Sequence, residues 1–547
     1  MLFIVLALLG FPFLTYYVST QLFHRRAKNS SAGKTPPLVP YSLPGVFHTF
    51  SLAYHGPQQY FASLLESYGS YAPFSIQVGA SKLVFLRDPD HVARVCHATS
   101  SKHTHAALYK DVFGNADSVR NSKMTGELKN DTNGASNYAP AELAEKYLTG
   151  GLLVALADEH MSTLSRSMHD KMFQVGTWTF IEDFSSFFQQ VVTKCTMETL
   201  FGSAFLKQYP NFVKDFWQFD DAMESYIPGM PRILQSRAHE APRERLLYGI
   251  EKWLKAVHGG SESARIGVDD PIRDKYRGSK FVQEADDSFA RSVDPDFRAR
   301  AVQLLIIIHS ALIGVIYPGF WTIVEILRRP DLAKTLKTQI AANYSSSSAR
   351  PDLVGIARLP IVQSIWLEVQ RLRIATRVVR GVDASDCRID DSWTIPQGSL
   401  ALAFSQDIAL NPQAWAEKHS KMTKKPLEEF WPERFLQVNK EIQAANHKVR
   451  RDQNCFSDNI SLHGLESILL ALRGDGNSNV LGPQFPQALQ AATLVVFLNE
   501  FQLHLCDPDA LDAATEVPVQ GHPAYGSHKT VHEVAVRIRK NAGDRSR

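Results

Sequence analysis

Reactive sulfur and unbalanced charge are what this chain has least of. Five cysteines, Cys96, Cys195, Cys387, Cys455 and Cys506, are scattered over 547 residues with no Cys-x-x-Cys spacing. That excludes a disulfide framework and a cysteine-built zinc site, and it fits a reducing compartment. Lys and Arg number 59 against 56 Asp and Glu, a net charge of +3. No basic field remains for a nucleic-acid backbone; Arg25-Arg26 and Arg450-Arg451 read as a membrane flank and a solvated loop. The glycine-rich stretch at Gly474 has no P-loop lysine, and no serine sits in a nucleophile elbow. Phosphoryl transfer and serine hydrolysis are therefore unsupported. There is no internal repeat and no low-complexity tract.

Charge is also missing locally, from residues 2–23. At ~1.5 Å per residue this run spans roughly 33 Å, enough for a bilayer core. No basic segment precedes it, so it reads as an anchor rather than a cleaved signal. His24, Arg25, Arg26 and Lys28 follow it and place the body in the cytoplasm. The chain divides into an anchor over 1–24, a basic flank and proline-rich hinge over 25–50, and one domain over 51–547. The hinge contains Pro36, Pro37, Pro40 and Pro44, which stiffen it into an extended linker.

What is present is mostly helical. Residues 73–79 and 82–86 read as short strands round a Gly-Ala-Ser turn, and Asp88-Pro89-Asp90 caps a helix from His91. Residues 114–138 form a polar loop. Helical patterns run over 141–255, broken at Gly202, Pro228 and Pro231, and a charged connector covers 258–295. Residues 301–327 are the most apolar part of the body. They are long enough to span a bilayer, but Pro318 favours a buried, kinked central helix. A helix over 359–373, strands near Val378 and over 394–403, and a strand over 531–538 complete the pattern. The expected fold is mainly α with small β-sheets, preceded by one transmembrane helix.

Three motifs follow one another in the second half. Glu368-Val369-Gln370-Arg371 puts an acid and a base on one helix face. Trp431-Pro432-Glu433-Arg434-Phe435 comes next, and then a glycine-rich loop from Arg473 to Phe485 that leads into an apolar helix over 488–498. In this order they resemble the cytochrome P-450 superfamily in its fungal, membrane-anchored form. They match its Glu-x-x-Arg helix, its Pro-Glu-Arg-Phe box and its haem loop, Phe-Gly-Gly-Gly-x-Ser-x-Cys-Pro-Gly-Arg-x-Phe. Gly474, Gly476, Ser478, Gly482 and Phe485 fall in register. The resemblance implies a P-450-like fold over nearly the whole chain. It also implies a structural triad of Glu368, Arg371 and Arg434 that holds the loop without touching substrate.

The same register puts Val480 where the family has its haem-ligating cysteine, and a valine cannot bind iron. Pro483 replaces the family's arginine and Arg473 its leading phenylalanine. Cys455 and His463 lie too far upstream to enter that turn. No Trp-x-x-x-Arg occurs over 147–172, which leaves Arg166 and Lys171 as the cations available to a haem propionate. The loop at Gly476, Val480 and Gly482 thus reads as degenerate. The expectation is that neither cofactor nor metal is bound, haem entering only with displaced ligation.

The central helix diverges too. Residues 311–317 hold no acid and no Ser or Thr, where the family usually keeps an acid–alcohol pair. Phe320-Trp321 resembles the subgroup of prostacyclin synthase and sterol 7α-hydroxylase. His309 and Tyr317 are eight residues apart and share a helix face. They are the candidate catalytic residues: each is either a satisfied core group or a hydrogen-bond partner for a substrate carbonyl. Gly314 between them would leave room for a ligand. The expected function is a haem-independent ring-forming or isomerisation step in terpenoid or polyketide biosynthesis, such as an intramolecular Diels–Alder cycloaddition. The alternatives are a haem monooxygenase with atypical ligation and a non-catalytic anchored partner of a pathway enzyme. The expected partners are a small lipophilic substrate, the endoplasmic reticulum membrane and other enzymes of the pathway, with no nucleic acid.

Overall fold

The computed structural model describes residues 2–28, 32–68, 70–98, 112–113, 140–169, 172–223, 226, 236–257, 272–292, 296–344, 350–418, 424–436, 460, 462, 464–473, 481–507 and 533–541. In chain order, helices α1 (Leu2–Lys28) and α2 (Thr49–Ser67) precede strands β1 (Phe74–Val78) and β2 (Ser81–Phe85). Helix α3 (Gly150–Met168), strand β3 (Thr179–Ile181), and helices α4 (Phe184–Phe201), α5 (Phe212–Met223) and α6 (Glu240–Val257) follow. A small hairpin of β4 (Arg273–Asp274) and β5 (Gly278–Ser279) leads to α7 (Lys280–Ser292) and the long α8 (Phe297–Leu327). The last part holds α9 (Pro360–Leu372), β6 (Arg377–Gly381), the hairpin β7 (Cys387–Arg388) and β8 (Thr394–Ile395), and β9 (Ser399–Phe404). It closes with α10 (Gln484–Val495), β10 (Phe501–Leu505) and β11 (Val536–Lys540).

The architecture is the expected one, mainly helical with small sheets. One sheet has strand order β1-β2-β9-β6, with β2 and β9 parallel and the other pairs antiparallel. The other has order β10-β11-β3. The proline hinge is extended as its composition demands, and it is fastened to β1: Val39 N–H donates to Ser75 O (2.8 Å) and Ser75 N–H to Pro37 O (2.8 Å).

Helix α8 runs through the core, with Ile308, Ala311, Leu312, Val315 and Ile316 at most 1% exposed. Among the described residues it is the helix long and apolar enough to cross a membrane, and it is mostly buried. That agrees with a central core helix. Residues 2–28 do form a helix, but its second half carries Thr15, Tyr16, Tyr17, Ser19, Thr20 and Gln21 and docks on the body. Ser19 Oγ accepts from Tyr41 N–H (3.1 Å), and Phe23 packs against the Tyr68 ring at 4.8 Å.

The 258–295 region is another correction. Its described part is a hairpin and helix α7, not a structureless connector. Phe281, Val282, Ala285 and Phe289 repeat at helical spacing and are buried. Asp286 is fully buried because Arg300 of α8 forks onto both its oxygens at 2.9 and 2.6 Å. Strand β3 was also hidden inside an otherwise helical pattern.

Candidate functional site

The motif residues meet in the core. Glu368 and Arg371 lie on α9 with fully buried side chains, joined by two 2.8 Å hydrogen bonds. Arg434 approaches Glu368 at 3.5 Å from the Pro432–Phe435 turn, and Trp431 N–H donates to the same carboxylate at 2.9 Å. Arg371 also donates to Ala409 O (3.2 Å), and burial pushes the Arg434 guanidinium below its usual pKa. Gln370 and Thr376 both donate to Leu472 O, at 3.0 and 2.9 Å, so α9 and the residue just before β6 hold the segment that leads into the glycine-rich loop. Residues 474–480, including Gly476 and Val480, lie outside the described residues, as do Cys455, His463 and Lys171. Beyond the loop, Leu481 and Phe485 are buried, and Gly482 has φ +69°, a conformation that favours glycine.

Helix α3 carries a buried imidazole. His160 Nε2 lies 3.3 Å from Thr493 Oγ1 of α10, and Nδ1 lies 3.4 Å from Thr199 Oγ1 of α4. Complete burial pushes its pKa down to about 4, so it is neutral and ties three helices together. Arg166 on the same helix donates to Thr163 Oγ1 at 3.3 Å.

His309 and Tyr317 converge on a third residue that the sequence did not mark. Asp220 of α5 receives Tyr317 Oη–H on Oδ2 at 2.8 Å, and His309 Nε2 lies 3.2 Å from Oδ1. The Tyr317 hydroxyl is thus directed to a carboxylate. Aromatic rings wall the cluster. Phe113 meets the imidazole edge-on at 5.4 Å, Phe216 and Phe219 stand at 6.1 and 6.4 Å, and Trp217 packs against Tyr317 at 5.4 Å. Trp217 is fixed by its indole N–H donating to Thr193 Oγ1 (3.1 Å), and it also lines an open groove of about 670 Å³ between α4 and α5. Asp220 was overlooked because Asp220-Asp221 reads as a solvated helix end. The available signal was its place one turn beyond Phe216 and Trp217, on their face.

Between the two candidates, the space expected over Gly314 is occupied. A Cβ at Gly314 would stand 3.4 Å from Pro486 Cγ of α10. Pro318 has no N–H, so the Gly314 carbonyl loses its helical donor, and Gln490 Nε2 of α10 supplies the replacement at 2.7 Å.

A mostly helical domain with a small mixed sheet and a buried Glu–Arg–Arg triad defines the P-450 class of fold. The family model for cytochrome P-450 matches residues 318–453. The chain is 23% identical to cytochrome P-450 monooxygenase fsoE of Humicola fuscoatra, covering 94% of this chain and 89% of that one. It is 20% identical to cytochrome P-450 monooxygenase efuG of Hormonema carpetanum, covering 83% and 82%. It is 22% identical to cholesterol 7-alpha-monooxygenase of Cricetulus griseus over 43% of this chain and 44% of that one. These matches support the cytochrome P-450 superfamily as the one this chain resembles over most of its length.

The comparisons overturn the expectation of a protein without a cofactor. The relatives are P-450 monooxygenases, which are haem enzymes, and haem is the group they point to. The described residues do not supply its thiolate. Cys195 is buried on α4, hydrogen-bonded to Ser167, with its thiol pushed up to about 12 by burial. Cys387 is buried in β7, Cys96 is half-buried and Cys506 exposed; none of the four lies on α8 or α10. The haem-loop residues 474–480 lie outside the described residues, and the chemistry below uses only described side chains.

Proposed function

We propose that this P-450-like protein is an enzyme of lipophilic natural-product metabolism that carries out a ring-forming or isomerisation step on a small apolar substrate. One observation supports this most: His309 and Tyr317 of α8 both engage Asp220 inside an aromatic wall, in the helix where the family usually keeps its acid–alcohol pair. Such a cluster can orient a polar group of a flexible apolar molecule and hold it near its reactive shape. The natural partners in this reading are the lipophilic substrate, the endoplasmic reticulum membrane through α1 with the body facing the cytoplasm, and other enzymes of the pathway.

Oxygen insertion is the second reading, favoured by the names of the relatives. Deleting the coding gene in the producing organism separates the two. The proposal expects an accumulated precursor with the same mass as the lost product. A precursor lighter by one oxygen atom would establish the second reading. No change in metabolites would leave neither.

A further inference from the structure

We propose that His309 is a proton shuttle for lipophilic, enolisable ketones, with Asp220 as its positioning residue; this rests on the isomerase side of the function proposed above. The case is geometric. An imidazole nitrogen 3.2 Å from a carboxylate oxygen donates to it, so in the neutral ring Nε2 carries the proton and Nδ1 the lone pair. Nδ1 makes no hydrogen bond among the described residues, and the side chain is 22% exposed. The carboxylate is itself fixed, because its other oxygen takes the Tyr317 hydroxyl at 2.8 Å. A base needs an orienting partner and an open nitrogen, and His309 has both.

The walls select the substrate. Phe113, Phe216 and Phe219 stand around the His309 imidazole and Trp217 packs against Tyr317, which suits an apolar skeleton rather than a sugar or a phosphate. The step needs no co-reactant. Nδ1 takes a proton from the carbon between the carbonyl and an alkene; the C–H bond breaks and its electron pair moves into the conjugated enolate. Asp220 offsets the charge of the imidazolium formed. Nδ1–H then returns the proton to the far alkene carbon, giving the conjugated ketone. Nothing is oxidised or reduced, and the protein ends as it began.

The test uses the full-length protein in detergent and deuterium oxide, with a monoterpenoid, a sesquiterpenoid and a steroid β,γ-unsaturated ketone as probes. The expected result is conversion to the conjugated ketone with deuterium at the far carbon. His309→Gln should fall to the protein-free rate. Asp220→Asn, which keeps the shape but can hold the wrong tautomer, should lose about 100-fold in kcat with KM little changed. Tyr317→Phe should lose less. Unchanged circular dichroism checks folding, and Asp220→Glu should recover part of the rate. Absence of exchange on all three probes overturns the shuttle, as does wild-type exchange by His309→Gln. Mass-neutral turnover of a native intermediate that survives His309→Gln sinks the shuttle and spares the broader reading. Products heavier by one oxygen, with no exchange, sink both.

Discussion

Both carboxylate oxygens of Glu368 are engaged: Arg371 donates to each, and Arg434 and the Trp431 N–H donate to one of them. Removing a buried partner leaves uncompensated charge. Glu368→Gln should therefore cost about 3–5 kcal/mol, read as a lower denaturation midpoint, with unfolding or loss of expression an acceptable form of the same result. His160 gives a pH-dependent counterpart. In the unfolded chain it takes a proton below about 6.5, whereas in the fold it resists until about 4. The unfolded state thus binds more protons across that window. The contribution is complete above pH 6.5 and is lost as pH falls toward 4, up to about 3 kcal/mol. Urea titrations at pH 7 and pH 5 should show the loss, and His160→Leu should flatten it. At this scale the sequence was readable where spacing is local. Glu368 and Arg371 are three apart, so one helix turn joins them. Asp220 lies 89 and 97 positions from its partners, and only tertiary packing makes that pairing.

Between elements, α8 and α10 are held by a side chain standing in for backbone. Gln490→Leu should cost about 1 kcal/mol, since the Gly314 carbonyl loses its donor. Pro318→Ala restores the helical N–H that the proline lacks. In that background Gln490→Leu should cost much less, and a double-mutant cycle by chemical denaturation reads the difference. Equal costs in both backgrounds would refute the substitution of one donor for the other. The elements themselves were legible in proportion to their periodicity. Helix α8 and strands β1 and β2 follow runs of apolar residues. Helix α7 was masked by Lys280, Glu284, Asp286 and Asp287, although its apolar residues kept the helical interval. β3 is three residues long and exists because β11 pairs with it, which no local pattern reveals.

For the whole molecule, the first helix belongs to the domain. Phe23 is 8% exposed and packs in the same core cluster as Leu52, Phe61 and Phe74. Removing residues 2–14 should leave the melting midpoint unchanged. Removing residues 2–28 should lower stability by about 3 kcal/mol, the scale of one buried phenylalanine. Equal midpoints for the two truncations would show that the docking contributes nothing. The sequence placed a hinge after the helix, but it could not show that Ser19 and Phe23 fasten the helix on the near side of that hinge. This docking converts a leash into a boom. Where the far end of α1 enters a bilayer, the body cannot swivel freely on its linker, and one side of it faces the lipid. A molecule dissolved in that lipid then meets the protein by sliding in two dimensions, always from the same quarter.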